Sequence, residues 1–142
     1  MIRLMRKEEA LVFSEWEKYE RPYPWSEKNF SQSIDSESSE NWVLELDSNP
    51  VAFLVIQVVM REAHILNIMV KPDFRKRGLA EKLLKNVFDE MKFRVDQVFL
   101  DVEINNTPAL SLYKKLGFDV CDRRESSYPR GESAFVMRKN LK

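Results

Sequence analysis

The most informative stretch of the chain is Asn67–Ala80, with the sequence NIMVKPDFRKRGLA. It is typical of a strand, then a basic loop with Arg75, Lys76 and Arg77, then a helix that opens on Gly78. The first turn of a helix has unpaired backbone amides and a dipole that favours negative charge, and glycine lets a phosphate approach the backbone closely. The stretch therefore predicts a diphosphate site, although on its own the basic triplet could equally be a solvated loop.

The chain on either side of this stretch predicts an α/β fold. Three strand-like segments lie at 42–46, 51–60 and 64–70, and the short turns between them favour an antiparallel meander. From Gly78 to about Phe93 the apolar period changes to 3.6 residues, which predicts a helix with one buried stripe. The residues of that stripe are Leu79, Leu83, Leu84, Val87, Phe88 and Met91.

Both ends of the chain add shorter elements. The amino-terminal part predicts a strand at 2–5, a helix at 7–19 with Leu11, Trp16 and Tyr19 on it, a second helix capped by Ser26, and a mobile polar loop at 35–41. The carboxy-terminal part predicts a strand at 97–102, a helix opened by Thr107 and Pro108 and closed by Gly117, and strands at 118–128 and 133–140. No repeat or linker interrupts this order, so we expect one domain over residues 1–142.

The composition excludes several classes of protein. The 23 Lys and Arg residues balance 23 Asp and Glu residues, so no overall field attracts nucleic acid or an anionic membrane. The longest apolar runs, such as 51–60, are much shorter than the ~20 residues of a membrane helix. The chain has one cysteine, Cys121, one histidine, His64, and no apolar signal segment at its start. We therefore expect a soluble, cytoplasmic protein without a metal, in which both residues are structural.

A second motif, NNTPALSLYKKLGF at Asn105–Phe118, follows the strand at 97–102. Together with Arg75-x-x-Gly78-x-Ala80, it resembles the GNAT superfamily of N-acetyltransferases, in which this segment lies along the CoA arm. The resemblance implies an α/β fold with a central mixed, mostly antiparallel sheet and helices on both faces. The sheet should be splayed where acetyl-CoA binds.

Three further segments resemble one branch of that superfamily, the ribosomal-protein-alanine N-acetyltransferase (RimI) family. They are Pro24–Lys28, the stretch from Gln57 to Val70 with Glu62 and Asn67, and the dipeptide Tyr128-Pro129. The resemblance implies that the acceptor is the amino terminus of a protein, a ribosomal protein in that family. It places Tyr23, Trp25, Glu62 and Tyr128 along the acceptor groove, although Tyr23 and Trp25 also suit a plain core role.

The resemblance also assigns residues to acetyl-CoA. The backbone of Ile68, Met69 and Val70 should contact the thioester and pantetheine, with an amide near Met69 or Val70 polarising the carbonyl. Asn106 aligns with an asparagine that contacts CoA, but its position also suits a helix cap. The diphosphate should lie on Arg75, Lys76, Arg77, Gly78, Leu79 and Ala80.

Tyr113 aligns with the tyrosine that in this family protonates the departing CoA thiolate. A phenol with a pKa of about 10 is protonated at neutral pH and can give its proton to a thiolate formed beside it. Packing is the alternative role, because Ala109, Leu112, Tyr113 and Leu116 form one stripe at helical spacing.

The general base is where this sequence departs from the family. The alignment places Asp101 where the family has a glutamate, and the shorter side chain reaches roughly 1.5 Å less far. Glu103 follows on the same face of the strand and is the alternative base. Either carboxylate could act directly or through water.

These residues predict direct attack of an amine on acetyl-CoA, without a covalent enzyme intermediate. An α-amine has a pKa near 8 and a lysine amine near 10.4, so at pH 7 roughly a tenth of the former and below a thousandth of the latter is neutral. An amino terminus therefore needs less help from a weak base such as Asp101.

Two other functions fit the same sequence. A small-amine acetyltransferase, acting on a polyamine or an antibiotic, would have an enclosed and acidic pocket. A CoA-binding module without catalysis would explain the aspartate at the glutamate position. For each of these functions we expect a monomer or a weak dimer.

Overall fold

The computed structural model describes the whole chain, residues 1–142. The strands are β1 (Ile2–Leu4), β2 (Ser39–Leu46), β3 (Asn49–Val59), β4 (Glu62–Val70), β5 (Gln97–Glu103), β6 (Asp119–Arg124) and β7 (Ala134–Asn140). The α-helices are α1 (Ala10–Glu20), α2 (Glu27–Asp35), α3 (Leu79–Met91) and α4 (Thr107–Lys115), and short 3-10 helices lie at Lys7–Glu9 and Pro72–Phe74. None of these helices is both long enough and apolar enough to cross a membrane.

All strands form one seven-stranded sheet in the order β1-β2-β3-β4-β5-β7-β6. Neighbouring strands are antiparallel except β4 and β5, which are parallel. Their pairing begins at Glu62 with Gln97 and ends at Ile65 with Leu100. Beyond that pair the carboxyl ends of the two strands separate, so the sheet opens at its centre. The predicted mixed, mostly antiparallel and splayed sheet is confirmed.

A β-bulge in β4 lies next to this opening. Val55 pairs with Asn67 while Ile56 pairs with Ile65, so Leu66 has no partner on β3. A bulge bends its strand and increases the local twist. The bulge therefore explains why β4 leaves β5 directly after their last residue pair.

Helices cover both faces of the sheet, as predicted. Side chains alternate along a strand, so successive residues of β2 and β3 enter different cores. Val43, Phe53 and Val55 pack in the core under α1 and α2. The opposite core contains Leu44, Leu54 and Ile56 from these strands and all six residues of the predicted α3 stripe.

An aromatic cluster fixes α1 and α2 on their face of the sheet. The ring centroid of Phe53 lies 5.2 Å from that of Phe13 in α1 and 5.3 Å from that of Phe30 in α2. Such pairs contribute about 0.5–1.5 kcal/mol each beyond the burial of their area. The cluster positions the last turn of α1, with Glu20 and then Arg21, beside the opening in the sheet.

The predicted mobile loop at 35–41 is wrong. Helix α2 extends to Asp35 and strand β2 begins at Ser39, so only the turn at 36–38 connects them. Polar composition misled here because the polar side chains have partners: Glu40 accepts a hydrogen bond from Arg94 at 2.8 Å, and Asn41 accepts one from Ser33 at 3.0 Å.

The ends of the later elements need two corrections. Asn106, and not Thr107, caps α4, since its side-chain oxygen accepts a hydrogen bond from the amide of Ala109 at 3.3 Å. Strand β6 ends at Arg124, well before 128, because the chain turns at Ser126 with a φ of +49°. Two predicted caps are confirmed: Ser26 accepts from the amide of Asn29, and Gly117 is left-handed.

Candidate active site

A first cavity of about 430 Å³ lies between the end of α1, the carboxyl end of β4 and the start of α3. It contains most of the residues that the sequence assigns to the cofactor, from Ile68, Met69 and Val70 to the loop before α3. Arg77 does not line it, while Asn106 and Tyr113 line a second cavity next to it. The opening in the sheet therefore brings the two sequence motifs to one place.

The loop before α3 presents a row of free backbone donors. The amides of residues 76–81 donate no hydrogen bond within the protein. Lys76 and Gly78 both have positive φ, of +63° and +72°, a conformation that turns successive amides into a concave anion site. A Cβ atom added at Gly78 would meet nothing within 4 Å, so the space in front of this backbone is open. The loop therefore fits a diphosphate.

Two of the three basic side chains of this loop are engaged with the protein. Nε of Arg75 donates to the carbonyl of Val70 at 2.9 Å, and the guanidinium lies 3.6 Å from the carboxylate of Glu20. Arg77 donates to the carbonyl of Asp73 at 3.3 Å and lies over the ring of Phe74. The backbone amides, rather than an arginine clamp, are therefore the donors that this loop leaves free for an anion.

The free edge of β4 faces the opening at alternate residues. Arg21 donates to the carbonyl of Ile68 and Arg75 donates to that of Val70, so these two residues direct their backbone groups into the opening. Met69 pairs with Phe53 and directs its backbone toward β3. Of the two amides that the sequence offers for polarising a thioester carbonyl, Val70 is therefore accessible and Met69 is not.

The second cavity, of about 370 Å³, lies between the diverging ends of β4 and β5 and is closed on one side by α4. All three predicted catalytic residues, Asp101, Glu103 and Tyr113, line it. Burial raises the pKa of Tyr113 to about 12, and the positive charge of Arg21 acts in the opposite direction. Tyr113 is therefore a protonated phenol across the physiological pH range.

The two carboxylates on β5 differ in their surroundings. One oxygen of Asp101 lies 3.3 Å from the guanidinium of Arg124 on β6, and the Asp101 side chain is 43% exposed. Glu103 is half-buried and forms no ion pair. Burial, followed by the negative charges of Asp101, Glu103 and Glu132, raises the pKa of Tyr128. The cavity therefore has an acidic side that would attract a cationic amine.

Aromatic residues form the mouth of the second cavity. The rings of Tyr23 and Tyr128 are stacked, 6.1 Å apart and 4° from parallel. The Tyr23 hydroxyl donates to Glu132 at 3.2 Å and accepts from the amide of Arg130 at 3.2 Å. Trp25 also lines the cavity. The loop after α1 and the β6–β7 hairpin therefore meet across the mouth.

Glu62 lies apart from the other three residues predicted for the acceptor groove. Glu62 begins β4, at the end where β4 and β5 are still paired, and so it does not reach the second cavity. It lies in a neighbouring cleft along the sheet, which shares Leu66, Asp101 and Tyr128 with the second cavity.

A buried carboxylate, Glu17, which is 1% exposed, was not among the residues predicted for the site. Its Oε1 accepts from the amide of Trp25 and from Nδ2 of Asn67, both at 3.1 Å, and its Oε2 accepts from Nε of Arg21 at 3.1 Å. Trp25 lies on the loop after α1, Asn67 lies next to the bulge in β4, and Arg21 follows the end of α1. Glu17 therefore joins the elements that enclose the second cavity.

A signal for Glu17 exists in the sequence. The buried residues of α1 are Ala10, Phe13 and Glu17, which follow helical spacing, whereas Leu11 and Tyr19 are 54% and 80% exposed. A carboxylate on the apolar stripe of a helix indicates a buried network. The residues predicted on this helix, Leu11, Trp16 and Tyr19, do not lie on this stripe.

The remaining candidates, His64 and Cys121, line neither of the two cavities. The ring of His64 stacks on that of Phe99, 5.3 Å away, and Cys121 is an exposed free thiol. No group of three or more His, Cys, Asp or Glu side chains is placed to hold a metal ion.

An open parallel strand pair beside a loop of free amides at a helix start is the arrangement that the resemblance to the GNAT superfamily implies for binding acetyl-CoA. The chain belongs to the acetyltransferase (GNAT) family, whose model matches residues 9–118. GNAT acetyltransferases use acetyl-CoA as the acetyl donor, and the loop before α3 offers free amides for its diphosphate.

Individual relatives agree with this family and with the predicted branch. The chain is 40% identical over 119 residues to the ribosomal protein bS18 alanine N-acetyltransferase of Salmonella typhimurium, covering 81% of this chain and 80% of the relative. It is 30% identical over 139 residues to a putative enzyme of the same description from Bacillus subtilis, covering 96% and 92%. The crystal structure of the Escherichia coli ribosomal-protein-S18-alanine N-acetyltransferase superposes with a TM-score of 0.92 at 32% identity, covering 99% and 93%.

Proposed function

We propose that this protein transfers the acetyl group of acetyl-CoA to the amino-terminal amine of ribosomal protein bS18. The relatives are named as alanine N-acetyltransferases of that ribosomal protein. The observation that carries the proposal is the meeting of the two cavities, which share Glu20, Arg21 and Ile68 at the opening of the sheet. A thioester bound in one cavity would face an amine bound in the other.

Acetyl-CoA supplies an acetyl group activated as a thioester. The amides of residues 76–81 would hold its diphosphate, and the exposed edge of β4 would pair with the pantetheine arm. The Val70 amide lies on the same side of the strand as its carbonyl and is the donor we assign to the thioester oxygen.

The acidic side of the second cavity would receive the amine. Asp101 or Glu103 takes the proton that the nitrogen loses as it bonds to the acetyl carbon. Because an α-amine has a pKa near 8, roughly a tenth of it is already neutral at pH 7, and the carboxylate has only to remove the proton that the nitrogen loses as the amide forms. This chemistry favours an amino terminus over a lysine side chain.

Tyr113 would complete the reaction on the other side of the carbonyl. The bond between carbon and sulfur breaks with its electron pair on sulfur, and the phenol gives that sulfur its proton. The proton taken by the carboxylate then returns to Tyr113 through solvent. The products are the acetylated amine and CoA with a free thiol, so atoms and charge balance.

The acceptor that the cleft favours is a polypeptide rather than a small amine. The second cavity continues into the neighbouring cleft along the sheet, with Leu66, Asp101 and Tyr128 common to both. A chain that enters with its first residue between β4 and β5 therefore has a path out.

All the assigned residues belong to one copy of the chain, so a monomer would suffice. The expected location is the cytoplasm, where ribosomal proteins are made.

Replacing Gly78 by valine should weaken CoA binding by about tenfold or more. A branched residue at a φ of +72° is strained by ~1–2 kcal/mol, and relief of that strain would turn the amides away from the diphosphate. Isothermal titration calorimetry with CoA measures the effect. The control is Gly131→Val, which has a similar φ of +87° and an equally open Cβ position in the β6–β7 hairpin, which does not line the first cavity. Wild-type affinity in Gly78→Val would disprove the diphosphate assignment.

Peptides test the chemistry of the acceptor. A peptide with a free amino-terminal alanine and an internal lysine should gain one acetyl group, on the α-amine. The same peptide with a blocked amino terminus should react little, because its lysine amine is almost fully protonated at neutral pH. Fragmentation by mass spectrometry locates the acetyl group. Predominant modification of lysine would reject the amino-terminal acceptor.

A further inference from the structure

Arg21 lies where the two cavities meet, beside the free edge of β4. It is the first residue after α1 and lines both cavities together with Ile68. Its Nη2 donates to the Ile68 carbonyl, which faces the opening. The guanidinium is therefore held where the thioester must lie if the two substrates meet.

Buried Glu17 holds the Arg21 guanidinium in this position. Glu17 accepts from Nε of Arg21, and its other oxygen is already taken by Trp25 and Asn67. The guanidinium of Arg21 has five donors, and the contacts to Glu17 and Ile68 use only two of them. A positive group with spare donors is thus fixed in advance at the junction, as electrostatic catalysis requires.

A second cation, Arg75, lies near the junction, but it is engaged with Glu20 at 3.6 Å and with the Val70 carbonyl. Apart from Arg21, the charged residues that line the second cavity are negative. Helix α1 contributes Glu17 and Glu20, and β5 contributes Asp101 and Glu103. Helix α4 contributes Tyr113, on which the charge of Arg21 acts directly. Arg21 is therefore the cation positioned to oppose negative charge that appears next to Tyr113.

We infer that Arg21 is a catalytic residue that stabilises the negative charge on the CoA sulfur as the bond between carbon and sulfur breaks. The electron pair of that bond passes to sulfur beside the guanidinium, and Tyr113 then supplies the proton. This inference rests on the proposed acetyl transfer, but it can be measured without any acceptor.

The test is the pKa of the thiol of bound CoA. Ultraviolet absorbance follows formation of the thiolate during a pH titration, and the complex with desulfo-CoA, which lacks the thiol, provides the baseline that cancels tyrosine. Removing a cation close to the sulfur should raise the thiol pKa in Arg21→Gln by about one unit or more. Arg21→Lys, which keeps the charge, should retain most of the wild-type value.

The control variant is Lys18→Gln. It removes a cation from the exposed side of the same helix, where Lys18 lies over the ring of Tyr19, and should leave the thiol pKa unchanged. Should Arg21→Gln fail to fold, Arg21→Met keeps the apolar stem without the charge, and the same titration of that variant decides. An unchanged thiol pKa in the neutral variant, or complete loss of CoA binding, would overturn the inference.

Turnover provides the second readout. A one-unit rise in the thiol pKa should lower kcat by up to about tenfold, while the KM for acetyl-CoA should change little. If wild-type protein acetylates no peptide but Arg21→Gln still raises the thiol pKa, the acceptor assignment fails and the role of Arg21 stands. If peptides are acetylated and the thiol pKa is the same in Arg21→Gln as in the wild type, the role of Arg21 fails and the acceptor assignment stands.

Discussion

Replacing Tyr113 by phenylalanine should lower turnover by about 10²–10⁴-fold, the range typical of acid–base groups. The substitution removes one hydroxyl and keeps the ring, which packs edge to face on Phe118 with centroids 5.6 Å apart. The affinity for CoA and the thermal stability should therefore barely change. Single-turnover kinetics with an amino-terminal peptide measure the loss, and calorimetry with CoA measures the affinity.

The pH dependence adds a check on the assignment of Tyr113. Burial raises the pKa of Tyr113 to about 12, so the phenol keeps its proton over the whole range in which the protein is assayed. The wild-type rate should thus show no alkaline loss from Tyr113 below about pH 11. Tyr19→Phe, at an exposed position, is the control. Unaltered turnover in Tyr113→Phe would leave Tyr113 as a packing residue.

Replacing Asp101 by asparagine should also reduce turnover at neutral pH, by up to the 10²–10⁴-fold range if Asp101 takes the proton directly. The loss should shrink as the pH rises toward about 8, because the α-amine then deprotonates without help. Rates measured from pH 6 to 9 with saturating acetyl-CoA give this profile.

Glu103→Gln is the matched variant for Asp101→Asn, since both residues lie on β5 and line the second cavity. It should have a small effect. The ion pair with Arg124 occupies only one of the two Asp101 oxygens, and Glu103 forms no ion pair. Each residue therefore keeps a free carboxylate oxygen that could accept the proton. A harmless Asp101→Asn with an impaired Glu103→Gln would move the base two residues along the strand. No effect from either would reject a carboxylate base.

The sequence predicted the parts of the site that depend on local pattern. Helical spacing within one segment predicts the α3 stripe. The chemistry of helix ends, which is also local, predicts the caps at Ser26 and Gly117 and the free amides after Arg75. The fold class followed because the two motifs lie at fixed places in a known family.

Contacts between distant segments could not be predicted in the same way. Glu17 and Asn67 are fifty residues apart in the chain and are joined by a hydrogen bond that no local pattern indicates. The bulge at Leu66 breaks the alternation of β4 without any glycine or proline to mark it. In the sequence, Arg21 is one of many charged residues near the end of a helix, and no pattern marks it. Its position at the site is seen only in the structure, where it lines both cavities.

The most direct test of the proposed function uses the whole acceptor. Ribosomal protein bS18 with a free amino terminus is incubated with this protein and acetyl-CoA, and intact mass and fragmentation are then recorded by mass spectrometry. We predict the addition of one acetyl group on the α-amine of the first alanine, and none when Tyr113→Phe replaces the wild type over the same time. Binding of acetyl-CoA without acetylation of that amine, or acetylation confined to lysine, would contradict the account.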